Sequence, residues 1–323
     1  MKITRRQAAL VGAAALFVPQ AKSQATWPNK PVRIVAGGAG GISDIRARWL
    51  ADRLAAALGQ PVVVENNGAA GGNVGAEQVA RSAPDGHTLL LIHQGTAAVN
   101  PHLFAHTGYN PLTDFAPITR FGYGSLLLSV HPSVQATNVR ELIALANTKT
   151  GALNYGSPGN GTPPHLAGEL FMRTARVTAT HVPFKGGGAM MQALLGGHVA
   201  CSFEGLTAQL PHVRAGSVRA IAVTGAQRAP SLPDVPTIAE SGLPGYEFSG
   251  WTGLSAPAAT PRPIVERLHT EIAKIAASDE TRQWFERSGS EAGIQSPQEF
   301  GEFIRAEHAR LGKLIRDAGL RAE

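Results

Sequence analysis

Three glycine-rich segments contain the residue types that bind a small anion. In each of them a short strand-like or loop stretch runs into glycines, at residues 32–44, 156–162 and 183–188. Glycines let the backbone approach a ligand closely, and a helix that starts just after them presents unpaired N–H groups at the positive end of its dipole. We therefore expect these loops to surround one negatively charged small molecule.

The first segment offers backbone and side-chain donors. Gly40, Gly41, Ile42 and Ser43 could present N–H groups, with the Ser43 hydroxyl beside them. A carboxylate that leaves water needs several donors, because charge-assisted hydrogen bonds must replace its hydration. Asp44 is acidic, so we expect it to order the loop and to meet a ligand directly or through water. A plain strand-to-helix turn is the alternative.

The second segment contributes four candidate ligand residues before a predicted helix: Ser157, Asn160, Gly161 and Thr162. That helix starts with Pro163 and Pro164, which have no N–H, so donation must come from residues up to Thr162 and from its hydroxyl. A simple N-cap role for Thr162 is compatible with ligand binding.

Three ionisable side chains near these loops could add to the site. His165 opens the predicted helix, where a histidine more often orients a loop than contacts a ligand. Lys185 could supply a counter-charge, although lysines are usually solvated. Glu204 would repel a nearby carboxylate, but it could accept a hydrogen bond from a ligand hydroxyl, amine or bridging water.

Residues that usually carry catalysis or metal binding are not arranged for either. Cys201 is the sole cysteine, which excludes an internal disulfide, and its apolar surroundings predict a buried, inert thiol. The 11 histidines lack metal-ligand spacing, and the G-x-S-x-G, H-E-x-x-H and P-loop motifs are missing from the sequence. We expect no enzyme activity, no metal and no cofactor.

The first 25 residues resemble an export signal. Arg5 and Arg6 form a charged start, residues 8–18 an apolar middle and residues 23–25 a small-x-small cleavage site. The mature chain would lie in the periplasm after export by the Sec or twin-arginine route. Most of the net charge of +6 comes from this segment, so the remaining chain gives little support to nucleic-acid binding.

Strand and helix patterns alternate and predict an α/β fold with a mostly parallel sheet, whose ligand sites lie at the carboxyl ends of the strands. Predicted strands are 31–36, 61–65, 88–92, 153–155, 180–183, 199–203 and 220–224. Predicted helices are 45–58, 76–81, 139–147, 164–174, 261–277, 279–288 and 298–319. Extended stretches at 125–130 and 248–256 could cross between two lobes, which places lobe 1 at 26–125 with 250–323 and lobe 2 at 126–249.

Ten short motifs occur in order along nearly the whole mature chain and resemble those of the tripartite tricarboxylate transporter substrate-receptor family, often called Bug proteins. They are WPNKP (27–31), GQPVVVEN (59–66), GGNVG (71–75), APDG (83–86), DFAP (114–117), LNY (153–155), HLAGEL (165–170), HVPFKG (181–186), LPDVPT (232–237) and GLPG (242–245). Each motif alone is weak evidence for the family, but their occurrence together and in this order is specific.

The resemblance implies a two-lobed periplasmic-binding-protein type II (Venus flytrap) architecture with two crossing strands, which closes on a carboxylate. It also implies a periplasmic receptor that works with membrane transporter subunits, and it identifies Gly95 and Thr96 as a second pocket loop. An ordinary strand end is the alternative for that pair. We expect the receptor to be a monomer.

The chain departs from the family pattern at two places. Residues 37–39 are Gly-Gly-Ala where members commonly have prolines, a change that could alter the rigidity of the loop. Residues 203–205 are Phe-Glu-Gly in place of the usual Phe-Asp-Asn, which lengthens an acid that could face the pocket.

A nucleotide-binding, Rossmann-like oxidoreductase is the alternative function. Residues 38–43 nearly match G-x-G-x-x-G after a strand, and Glu65 ends the next strand about 20 residues later. Against it, Ser43 replaces the third glycine, and an export signal would separate the protein from the cytoplasmic nicotinamide pool.

Overall fold

The computed structural model describes residues 27–39, 42–148, 153–184 and 187–321. Its strands are β1 (Val32–Ala36), β2 (Val62–Asn66), β3 (Thr88–His93), β4 (Phe115–Val130), β5 (Asn154–Ser157), β6 (Thr180–Pro183), β7 (Cys201–Gly205), β8 (Arg219–Val223), β9 (Ser249–Pro257) and β10 (Glu291–Ala292). Its helices are α1 (Ile42–Leu58), α2 (Asn73–Ala80), α3 (Asn100–Leu103), α4 (Val139–Ala146), α5 (Pro163–Ala175), α6 (Gly187–Leu195), α7 (Leu206–Arg214), α8 (Arg262–Ala276), α9 (Asp279–Arg287) and α10 (Pro297–Ala318). The α/β class is confirmed, whereas the predicted export signal lies outside the described residues.

The described strands form one sheet in the order β2-β1-β3-β9-β4-β7-β5-β6, with β8 and β10 also paired to β4. Strands β1, β2 and β3 are parallel, and β9 is antiparallel to both β3 and β4. Strand β3 therefore runs in the direction of β4. On the other side β7 is antiparallel to β4, while β5 runs parallel to β7 and β6. The carboxyl ends of β1–β3 and of β5–β7 consequently point towards each other.

Strand β4 belongs to two sections of this sheet. Its first part pairs with β9 and β10, and its last residues pair with β7 and β8. We call β1, β2, β3, β9, β10 and the first part of β4 the first half-sheet, and β5–β8 with the end of β4 the second half-sheet. At the boundary, Gly124 lies opposite Gly250 and Ser125 lies opposite Ser249. The buried Thr224 hydroxyl accepts from Leu126 N–H at 2.7 Å, which fixes β8 to β4 just past the boundary.

Helices cover both half-sheets, and α10 reaches the cores of both, since Phe300 lies in a cluster of the first and Leu311 and Ile315 lie in that of the second. On one face of the first, α1 and α8 contribute Leu50, Leu54 and Leu268 to a core with Ile34 and Leu254. Helix α2 and the start of α10 cover the opposite face in a second cluster, and α4 and α5 pack on the second half-sheet in a third. Apolar side chains removed from water on both faces of the sheet are the main stabilising contribution.

The sequence Ser-Pro-Gln-Glu at residues 296–299 predicts a capping box, and the long carboxyl-terminal helix α10 begins with it. Ser296 Oγ accepts from Glu299 N–H at 3.2 Å, and Glu299 Oε2 accepts from Ser296 N–H at 2.8 Å. Two N–H groups that the helix cannot satisfy internally are thereby paired. These reciprocal bonds fix where α10 starts.

Several elements differ from the sequence-based expectations, among them the short α3 and β10, which were not predicted. Helices α6 and α7 were not predicted, because glycines precede both and Pro211 lies inside α7. Strand β4 is longer than the predicted crossing segment, since it also runs through the whole first half-sheet. Across the described ranges, no helix is both long and apolar enough to traverse a bilayer.

We predict that Gly253→Ala destabilises the protein. A Cβ at Gly253 would meet the Phe300 ring and lie 2.6 Å from Thr119 O, so the core must shift to accept it. Overpacking of this kind costs about 1–3 kcal/mol in the free energy of unfolding, which urea denaturation measures.

Gly250→Ala in the same strand is the matched control, because its added Cβ would be 3.9 Å from the nearest atom, Gly124 O. Equal loss of stability in the two variants would contradict the packing described for β9.

Candidate functional site

The carboxyl ends of β1–β3 and of β5–β7 lie near the part of β4 that passes from the first half-sheet to the second. His93, the last residue of β3, lies opposite Thr252, which lies opposite Gly122. Gly205, the last residue of β7, lies opposite Leu126. The stretch of β4 between those two levels spans about 13 Å at about 3.3 Å per residue. The predicted loops all follow these ends, so the space between them is the candidate site.

Helix α1 begins at this space. Ile42, Ser43 and Asp44 form its first turn, where backbone N–H groups have no partner within the helix. Ile42 is 44% exposed, and the Ser43 side chain makes no hydrogen bond to any described residue. This helix end therefore retains donors for an anion. The predicted Gly40 and Gly41 lie outside the described residues.

Asp44 is buried and bound by its neighbours. Its carboxylate pairs with Arg48 Nε at 2.9 Å and accepts from Asn66 Nδ2 at 2.9 Å. Asn66 Nδ2 also lies 2.9 Å from Gly37 O, to which it donates. Asp44 and Asn66 thus tie the loop after β1 to the end of β2, and direct contact of Asp44 with a ligand stays a prediction.

The loop after β2 lies beside the loop after β1, and the sequence analysis did not include it in the site. A Cβ on Gly68 would lie 2.7 Å from Gly38 Cα, so the two backbones approach as closely as glycines allow. Ala70 in the same loop has φ +50°, which costs a non-glycine residue about 1 kcal/mol or more. The GGNVG motif at residues 71–75 was the available signal, but it entered only as a family match.

His93 holds the loop after β3. Its Nδ1 accepts from Gly95 N–H at 3.1 Å, and its backbone O accepts from Thr96 Oγ1 at 3.1 Å. Tyr109 Oη donates to Thr96 O at 2.7 Å. The predicted pair Gly95 and Thr96 is therefore buried and fixed at the strand end.

Ser157 is fully buried at the end of β5, and its hydroxyl bonds within its own half-sheet. It donates to Gly159 O at 3.0 Å, accepts from Gly159 N–H at 3.2 Å and lies 2.7 Å from His181 Nε2. Since a hydroxyl has one donor and two acceptor sites, these partners occupy it. Ser157 thus shapes the loop in this structure.

His165 orients the same loop from the first turn of α5. Its Nδ1 accepts from Gly161 N–H at 2.9 Å, and its ring stacks on His181 with centroids 3.9 Å apart. Burial lowers the pKa of both histidines to about 4, and a charge on His165 would further disfavour a proton on His181. The imidazoles are consequently neutral, as acceptance by Nδ1 requires.

The remaining predicted residues of this loop lie at the start of α5. Thr162 occupies the N-cap position, but its hydroxyl donates to Gly159 O at 2.7 Å and does not cap the helix. Asn160 is exposed, and its side chain has no partner among the described residues. With prolines at the first two helical positions, Asn160 is the freest donor of this loop.

Two further predicted residues belong to the neighbouring strand ends. Glu204 is the penultimate residue of β7, and burial raises the pKa of its carboxyl above the usual value, partly offset by the Gly205 N–H. Lys185, in the loop after β6, lies outside the described residues.

The two half-sheets touch on either side of the site. On one side Gly161 packs against Leu103 of α3 so closely that a Cβ there would collide with it. On the other side Thr207 Oγ1 donates to Ser288 O, between α7 and the end of α9. These contacts join the loop after β5 to α3 and the start of α7 to the end of α9.

A separate cavity of about 260 Å³ lies at the boundary of the half-sheets, between β4, β9 and α10. Arg120, Tyr123, Trp251 and Glu307 line it from the first half-sheet, and the segment 225–227 lines it from the second. Its size therefore depends on the angle between the two.

The acid that a dinucleotide site would need is already engaged. Glu65 Oε2 accepts from Arg33 at 3.0 Å, and Glu65 Oε1 accepts from Gln78 at 2.8 Å. The Glu65 carboxylate thus serves to tie β2 to β1 and α2, and Ser43 stands where the fingerprint has its third glycine, which together disfavour the oxidoreductase alternative.

We predict that the protein loses stability as the pH falls from about 6.5 to about 4. Burial lowers the pKa of His93, His165 and His181 to about 4, against 6.5 when unfolded. The unfolded chain therefore binds protons in this window that the folded chain does not, and the loss is complete below the folded pKa. Urea unfolding at pH 7.5, 6 and 5 measures the slope.

His93→Asn and His165→Asn are suitable variants, because the amide oxygen can replace the Nδ1 acceptor and does not titrate. We expect a shallower pH dependence in each variant than in the parent. His106, changed to Asn, is the control, because its side chain is exposed and belongs to neither loop. An unchanged slope in both site variants would refute the assignment.

Comparison with known proteins places this geometry in a family. Residues 46–320 match the model of the tripartite tricarboxylate transporter family receptor. Protein BugT of Bordetella pertussis is 34% identical over 296 residues, which cover 91% of each chain. An uncharacterised Pseudomonas sp. (strain P51) protein from the tcbD-tcbE intergenic region is 34% identical over 92% of this chain and 88% of its own length.

Solved structures agree with this match. An R. palustris protein solved with adipate superimposes with a TM-score of 0.84 at 38% identity, covering 91% of this chain and 99% of its own. MatC from Rhodopseudomonas palustris with bound malate gives 0.79 at 32% identity over 89% and 99% of the two chains. The chain belongs to the tripartite tricarboxylate transporter receptor family, whose members are periplasmic substrate-binding receptors rather than enzymes.

Proposed function

We propose that this protein captures a small organic carboxylate between the facing strand ends and delivers it to a membrane transporter. The observation that carries the proposal is the convergence of the carboxyl ends of β1–β3 and β5–β7 on one space. The first turn of α1 opens at that space with unused donors. The relatives with adipate and malate support a carboxylate as the ligand class.

We assign different ligand donors to the two sides of the site, where the first side is formed by the loops after β1–β3 and the second by the loops after β5–β7. The first side grips one carboxylate through the start of α1, where Gly40, Gly41, Ile42 and Ser43 supply N–H groups and a hydroxyl, because helix amino ends favour anions. On the second side Asn160 is the ligand donor and Lys185 the counter-charge. The other predicted residues already make hydrogen bonds within their own loops and therefore position these donors. These positioning residues are Asp44, Gly95, Thr96, Ser157, Gly161, Thr162 and His165.

Two lobes that move about the crossing strands would admit and release the ligand. Lobe 1 comprises residues 26–125 with 250–323, and lobe 2 comprises residues 126–249. Gly124 of β4 and Gly250 of β9 lie opposite each other at the boundary, and no side chain stands between them, which suits a hinge. A ligand that contacts both lobes stabilises the closed form by its differential affinity.

The transporter partner and the cellular route complete the proposal. A receptor of this family acts in the periplasm, so residues 1–25 would direct export and then be removed. The ligand-loaded, closed form would be the one that the transporter subunits recognise. A monomer is sufficient for this role, because both sides of the site come from one chain.

Ser43→Ala tests the donor assignment. Loss of one hydrogen bond to a charged ligand should weaken binding by about 1–3 kcal/mol, as isothermal titration calorimetry with adipate, malate and related acids measures. The Ser43 hydroxyl has no partner in the described protein, so its removal should not lower stability.

Ser217→Ala is the control, because Ser217 is exposed and precedes β8, whose first residue lies opposite Val130 at the end of β4 away from the site. Unchanged affinity in Ser43→Ala would remove Ser43 from the site. Failure of the parent protein to bind any carboxylate in the panel would defeat the proposed function itself.

A further inference from the structure

Glu204 presents an unused acceptor at the carboxyl end of β7. Its Oε1 accepts from the adjacent Gly205 N–H at 2.8 Å. Its Oε2 is buried and has no hydrogen-bond partner among the described residues. A buried carboxylate oxygen without a donor is costly, so this atom calls for a partner that the described protein does not supply.

The described surroundings of Glu204 keep it in place, and no charged side chain among them compensates its charge. A Cβ on Gly187, the first residue of α6, would lie 3.4 Å from Oε2, so the carboxylate stands beside the amino end of that helix. Burial raises the pKa of Glu204 and the Gly205 N–H lowers it, and no charged side chain in the described ranges contributes. The helix end favours the ionised form in part.

The position of Glu204 relative to the proposed anion site determines which ligands Glu204 can favour. Gly205 lies opposite Leu126 of β4, whereas the end of β3 lies at the height of Gly122. The part of β4 from Gly122 to Leu126 spans about 13 Å, at about 3.3 Å per residue. In the proposed function the first carboxylate is bound at α1, so the other end of the ligand is directed to the side that carries Glu204. A second ionised carboxylate there would meet a like charge, which is unfavourable at low dielectric.

We propose that Glu204 Oε2 accepts a hydrogen bond from a hydroxyl or ammonium group of the ligand, so that this receptor selects carboxylic acids that carry such a donor over unsubstituted diacids. The proposal rests on the proposed function, since it requires a carboxylate in the same space. The chemistry is that of hydroxy acids and amino acids, which share the donor and differ in its charge.

Calorimetric titration of the purified protein with matched acids tests the proposal. The probes are succinate, malate and aspartate, then glutarate, 2-hydroxyglutarate and glutamate, and finally adipate and 2-aminoadipate, all at pH 7.5. At whichever chain length fits, a donor-bearing acid should bind at least about tenfold more tightly than its unsubstituted counterpart. Equal or tighter binding of every unsubstituted acid would overturn the proposal.

The variant Glu204→Gln distinguishes a hydroxyl donor from an ammonium donor on the ligand, and it tests the role of Glu204 in selecting them. The amide keeps an acceptor but removes the charge, so an amino acid should lose at least about tenfold in affinity and a hydroxy acid less, whereas an unsubstituted diacid should bind at least as tightly as before. Glu247→Gln is the control, because Glu247 is exposed at the boundary cavity. An equal loss for all acids in Glu204→Gln would mean that Glu204 only supports the fold.

The parent titrations decide the question even if Glu204→Gln does not fold. Binding without preference for donors overturns the role of Glu204 and leaves the proposed function standing. Binding of none of these acids, in the parent protein, overturns both.

Discussion

The antiparallel pairing of β4 with β9 is the constraint on which the rest of the structure depends. Because β9 is inserted between β3 and β4, the first three strands run in the direction in which β4 leaves their half of the sheet. Strands β5–β7 run the opposite way, since β7 pairs antiparallel with the end of β4. Parallel strands place their following loops at one edge, so two such edges oriented oppositely must face each other.

Neutral imidazoles play the same part on both sides of the candidate site. His93 in the first half-sheet and His165 in the second each accept a backbone N–H of the loop that follows the nearby strand. A buried N–H needs a partner, and a neutral ring provides one without adding charge close to an anion. The loops can therefore be rigid while the unpaired donors at Ser43 and Asn160 remain available to a ligand. Rigid positioning of a few donors reduces the ordering cost of binding.

Much of the framework was predictable because it follows from local signals. The capping box at Ser296 marked the start of α10, and apolar periodicity marked α1, α5 and α8. The site was harder, because the hydrogen-bond partners are distant in sequence. Ser157 was a reasonable candidate donor, yet His181 and Gly159 occupy its hydroxyl. The strained turn at Ala70 was not predictable, since tertiary contacts impose its conformation on a residue that does not favour it.

The order of elements along the chain has a consequence for synthesis. Residues of β9 and α8, such as Leu254 and Leu268, complete the core that covers Ile34 and Leu89. While the ribosome is still adding these late segments, the apolar face of β1 and β3 has nothing to cover it. The strands of the second half-sheet come from an uninterrupted stretch of the chain, although Leu311 and Ile315 of α10 still complete its core. The segment translated first thus carries an apolar surface that is buried only after residues translated much later have been added.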